Sequence, residues 1–70
     1  MDGNELLAEI KRQGKTVKCL CEALDISTSS FYKKIKGVSE FTRREIVEIK
    51  HYLNLTDEKL RRIFFVEKVS

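Results

Sequence analysis

Residues 17 to 37, VKCLCEALDISTSSFYKKIKG, set out a helical apolar pattern twice, with only three residues between the repeats to reverse the chain. In the first repeat Val17, Leu20, Cys21 and Leu24 fall at i, i+3, i+4 and i+7, which is one face of a helix. Asp25-Ile26-Ser27 then breaks the pattern. Ser27 suits the N-cap of the next helix, because its hydroxyl can accept an otherwise orphaned backbone N–H. In the second repeat Phe31 and Ile35, four apart, point inward. Thr28, Ser29, Tyr32, Lys33 and Lys36 are left on the outer side, and Gly37 supplies the left-handed residue that stops the helix. Two helices of this length around so short a turn predict a helix-turn-helix.

The flanking chain reads as three more helices. Helix 1 is expected from about Asn4 to Gln13, with Leu6, Leu7 and Ile10 inward and Gly14 ending it. Thr42-Arg43-Arg44-Glu45 is a capping box that opens helix 4, with Phe41 and Ile46 spaced as a hydrophobic staple. Ile46, Ile49 and Leu53 form the inner face of helix 4, and Asn54 can close it. A second cap, Thr56, opens helix 5 with Leu55 and Leu60 as its staple, and Leu60, Ile63 and Phe64 face the core. The expected fold class is all-α: a single domain over residues 1–70, with the motif at about 17–37 and closing helices at about 42–53 and 56–65. Nothing reads as a strand before Phe64-Phe65-Val66, which could form a short extended tail.

Seventy residues leave room for one small core but not for a second, ligand-sensing domain. With 36% charged and 41% apolar residues the composition suits a folded domain rather than a disordered tail. No stretch of about 18 apolar residues and no signal or lipidation pattern occurs, so a cytoplasmic location is expected, with no membrane partner. The net charge is only +3, but it is unevenly placed. Lys11, Arg12, Lys15 and Lys18, and then Lys33, Lys34 and Lys36, fall in two stretches without acids. Residues 1–10 and 19–26 hold five acids and no base. Positive charge therefore gathers around the motif, either as a footprint for phosphates or as ordinary solvation of exposed helix faces.

The run LCEALDISTSSFYKKIKG resembles the helix-turn-helix of the Cro/repressor class, the xenobiotic-response-element-like regulators of phages and bacteria. The resemblance is carried by Leu20, Cys21 in the usual alanine position, Leu24, Ile26 after the turn, Ser27, Phe31, and Ile35 before Gly37. EFTRREIVEIKHYLNLTDEKLRRIFF resembles the two closing helices of that family, so the likeness spans nearly the whole chain. It departs at the turn, where Asp25 stands for the usual glycine, and at the opening of the first motif helix, where Val17 replaces a frequent phosphate-contacting glutamine. The resemblance implies a five-helix Cro/repressor-like domain in the bacterial host cell, acting on operator DNA or, as an antirepressor, on a partner repressor.

Catalytic and metal chemistry find little support. Cys19 and Cys21 in one helix project about 200° apart, so they cannot readily share a metal, and His51 is the only other natural ligand candidate. Cys21 reads as a small buried residue and Cys19 as exposed and incidental. No nucleophile has a base placed to activate it, and no glycine-rich phosphate loop exists. Asp57 and Glu58 fall at a helix start, where acids offset the macrodipole. No enzyme activity, cofactor, metal or small-molecule ligand is expected.

Docking as the family docks would turn Thr28, Ser29, Tyr32 and Lys33 toward base edges. Helix 3 lacks Arg, Asn and Gln, the side chains of strong bidentate readout, so direct readout would be modest. The bland alternative is an ordinary exposed face with Tyr32 lying flat. Phosphate contacts are expected from Thr16, Lys18, Lys36, Arg43 and Arg44. At the other end, Phe65, Val66 and Val69 exceed what helix 5 needs for its inner face. They predict, with Arg62, a partner interface for a homodimer or a heteromer with a phage repressor, unless Phe65 folds back on helix 1.

Overall fold

The computed structural model describes residues 1–65, which form five α-helices: α1 Gly3–Arg12, α2 Val17–Leu24, α3 Thr28–Ile35, α4 Arg43–Leu53 and α5 Asp57–Phe64. Each begins at a side-chain cap. Asp2, Thr16, Ser27, Thr42 and Thr56 each accept the backbone N–H three residues on, and Thr42 and Glu45 complete the expected capping box. Every start thus satisfies an N–H that would otherwise lack a partner.

Four ends share one device. Gly14, Asp25, Gly37 and Asn54 adopt left-handed conformations, with φ of 71°, 57°, 84° and 51°. After each, the next residue's N–H returns to a carbonyl five positions back: Lys15 to Ile10, Ile26 to Cys21, Val38 to Lys33 and Leu55 to Lys50. This is the Schellman closure, which absorbs the free carbonyls of the last turn. α1 lies one residue earlier than its apolar pattern predicts, because Asp2 rather than Gly3 is its cap. The predicted extended tail is corrected at its start. Phe64 is helical, and Phe65 closes α5 with its N–H on the Arg61 carbonyl at 2.9 Å. Val66, also part of that tail, and Val69 lie outside the described residues.

α2 packs on α4 and α3, and α1 packs on α5. The core gathers Leu6 and Ile10, Leu20, Cys21 and Leu24, Phe31, Ile49 and Leu53, and Ile63, with Phe41 and Leu55 added from the connections. Phe31, Phe41 and Phe64 make successive edge-on ring contacts at 5.7 and 5.8 Å, so aromatic packing ties α3 to α5 across the α3–α4 connection. Leu60 and Phe64 are half-buried rather than buried; Ile63 alone fills the inner position of α5.

Two features set how α1 is held. A Cβ on Gly3 would lie 2.8 Å from Ile35 Cγ2 and 2.9 Å from the Ile35 carbonyl oxygen, so α1 starts directly against the end of α3. Glu9 is 3% exposed, a buried carboxylate inside an apolar stripe. It accepts hydrogen bonds from Arg12 and, at 2.9 Å, from Gln13, with Lys59 of α5 at 3.6 Å. Gln13 also donates to the Leu53 carbonyl at 2.6 Å, which joins α1, α4 and α5 through one polar node. Glu9 stands at i+3 from Leu6, on the same face of the helix.

Candidate nucleic-acid interface

α3 presents the expected surface. Ser27 Oγ accepts the Ser30 N–H at 3.1 Å and donates to Ser30 Oγ at 3.0 Å, which fixes where the helix begins. Phe31 is fully buried and Ile35 half-buried, and that sets the helix rotation. Thr28, Ser29, Tyr32, Lys33 and Lys36 consequently share the exposed side. Tyr32 is 42% exposed, its ring set edge-on to Phe31 at 5.6 Å. Among the described residues the side chains of Thr28, Ser29, Lys33 and Lys36 have no hydrogen-bond or ion-pair partner. They are free to meet an external ligand.

The basic charge around this face is smaller than its lysine count. Lys34 turns inward, its Nζ 3.6 Å from Glu45, 3.3 Å from the Glu40 carbonyl and over the Phe41 ring. Lys15 donates to the Tyr52 carbonyl at 2.7 Å and lies 4.6 Å from that ring's centre, and Arg12 is held by Glu9. These three cations stabilise the fold. Lys11, Lys18, Lys33, Lys36 and Arg43 remain exposed with no ion pair within 4.0 Å among the described residues.

The expected phosphate contacts separate accordingly. Thr16 caps α2 through its Oγ1, which accepts the Cys19 N–H at 3.1 Å, and its O–H proton is still available to donate. Lys18 projects from the first turn of α2 and Arg43 from that of α4, both exposed. Arg44 pairs with Glu48 at 3.2 Å and lines a cleft with Asp25, Glu45 and Glu48, a locally acidic setting that weakens any pull on a phosphate.

A second surface lies at the other end of the molecule's sequence. Phe65 is 60% exposed and Met1 37%, beside a cleft of about 320 Å³. One wall is the α3–α4 connection from Gly37 to Phe41 with Ile46 of α4; the other is Phe64 and Phe65. Phe65 therefore does not fold into the core. Arg62, the other expected interface residue that is described, is exposed and 3.5 Å from Glu58. Sequence reasoning missed Val38, 73% exposed just after α3. An apolar residue at that position of a Schellman closure usually packs back on its helix, which hides the signal.

Cys19 is exposed and Cys21 buried; burial pushes the Cys21 thiol up, away from its reactive form. Among the described residues no group of three His, Cys, Asp or Glu side chains could hold a metal ion, and no helix is long and apolar enough to cross a membrane. No protein family, curated protein or solved structure matches this chain.

Proposed function

We propose that this chain is a small DNA-binding transcriptional regulator with a Cro/repressor-like helix-turn-helix fold, placing α3 in the major groove of an operator. The observation that carries the reading is the outer face of α3. It is a capped, rotationally fixed helix whose Thr28, Ser29, Tyr32, Lys33 and Lys36 are exposed and uncommitted, following α2 after a three-residue turn. Lys33 can donate to guanine O6 and N7, while Thr28 and Ser29 serve either base type. Lys18, Lys36 and Arg43 neutralise phosphates, and the Thr16 hydroxyl adds a neutral contact. One such helix on its own covers roughly 600–1,000 Å², seldom enough for tight specific binding. Two copies with their α3 helices about 34 Å apart would read a near-palindromic site. In this reading the protein acts by occupying the operator and excluding polymerase or a rival repressor. Electrophoretic mobility shift with the DNA upstream of its own coding sequence tests this: sequence-specific retardation at about 50 mM salt supports the reading, and its absence there overturns it.

A second reading is favoured by the exposed Phe65 beside its cleft: an antirepressor that binds a partner repressor and modulates its hold on DNA. Lys33→Ala with Lys36→Ala separates the two. Loss of regulation with partner binding intact belongs to DNA readout, and a phenotype confined to Phe65→Ala belongs to the antirepressor.

A further inference from the structure

Of the residues that follow the left-handed helix ends, Ile26, Val38 and Leu55 are apolar. An apolar residue there ordinarily packs back on the helix it closes. Ile26 packs against the core and Leu55 is 5% exposed, yet Val38 is 73% exposed. Gly37, Ser39 and Glu40 line the cleft beside Phe65, and Val38 is the one residue of that run outside its lining. The Val38 N–H reaches the Lys33 carbonyl at 2.9 Å, which holds the residue at the last turn of α3. Lys33 and Lys36 of that turn and its cap are exposed, with no ion pair within 4.0 Å among the described residues.

An apolar side chain left in water beside two unpaired cations suits a surface that is anionic at its edges and apolar at one point. The major groove is such a surface: phosphates border it, and the thymine C5 methyl is the apolar group on its floor. We infer, resting on the DNA-binding reading above, that Val38 is a specificity residue that covers the C5 methyl of one thymine, next to the base pair that Lys33 meets. The contact withdraws both apolar groups from water. It favours thymine at that position over cytosine, which has no methyl, and so adds a discrimination that the Lys33 ammonium does not supply.

A double-mutant cycle on the duplex that the wild-type chain selects, read by fluorescence anisotropy, is the test. Each thymine of the site is replaced in turn by uracil, which removes the methyl and keeps the base pairing. Every duplex is titrated with wild type and with Val38→Ala, whose circular dichroism spectrum should be unchanged because the position is exposed. At one thymine position uracil should weaken wild-type binding about three- to fivefold, the loss expected when one methyl-sized contact returns to water. The same replacement should leave Val38→Ala nearly unaffected. Uracil effects equal in both proteins at every thymine, or a selected site without thymine, would overturn the inference while the DNA reading stands. So would a Val38→Ala protein weakened alike on all duplexes, which is the mark of contact with deoxyribose. A wild type that selects no duplex would overturn both.

Discussion

Removing the carboxylate of Glu9 strands a network rather than a single bond, because Arg12, Gln13 and Lys59 all converge on it. The Gln13 hydrogen bond is the main influence holding this carboxyl below the ordinary range; burial pushes it up, and Lys59 and Arg12 pull it down further. A depressed folded-state value stabilises the fold above about pH 4.3, and that stability is lost as pH falls through the folded value. Glu9→Gln should therefore lower unfolding stability by about 1–3 kcal/mol near neutrality, and the gap to wild type should narrow in acid. Asp57, also held low, chiefly by Lys50, titrates in both proteins and cancels in the comparison. Urea titrations near neutral pH and near pH ~3 read the effect; an equal gap at both would contradict it. Asp25 carries the opposite expectation. It holds a left-handed φ of 57° and puts an acid at the C-terminal end of α2, where the dipole disfavours it. Asp25→Gly should raise stability by about 0.5–1 kcal/mol, measured by the same titration.

Among the elements, the junction of α1 with α3 is the least forgiving. An added methyl at Gly3 would press on the Ile35 backbone oxygen, which cannot swing aside as a side chain would. Gly3→Ala should cost about 1–3 kcal/mol despite alanine's better helix propensity, seen as a lower thermal midpoint; a neutral or stabilised variant would contradict the packing. Helix boundaries were legible in the sequence because caps are local chemistry: Ser27, Thr42 and Thr56 do in the fold what their side chains do in any chain. The exposed face of α3 was legible for the same reason, since Phe31 and Ile35 fix the rotation. The division of labour among the lysines was not. Lys33 and Lys34 are neighbours in sequence, yet only Lys34 reaches Glu45 and Glu40, and that depends on where α4 and the connection pack. Glu9 was masked by its charge, although its spacing from Leu6 already placed it inside.

For the whole molecule, the outer side of α3 is the uncommitted surface proposed to meet DNA, and the exposed Phe65 lies beside a separate cleft. Arg12 and Lys34 are paired with carboxylates and Lys15 is held by the Tyr52 carbonyl, so phosphate binding should rest on few contacts and show a shallow salt dependence. The most direct test of the central claim is fluorescence anisotropy on the best site selected from random duplexes, repeated across salt for wild type and for Lys33→Ala, Lys36→Ala and Tyr32→Ala. The wild type should bind with sequence specificity. Lys36→Ala should lower the slope of log affinity against log salt by about 1, weakening all sequences alike. Tyr32→Ala and Lys33→Ala should relax the preference at particular base pairs, at about 1–3 kcal/mol for a direct base contact. Binding that selects no sequence, or a selected site whose affinity and salt slope are unchanged in all three variants, would contradict the claim that α3 reads DNA.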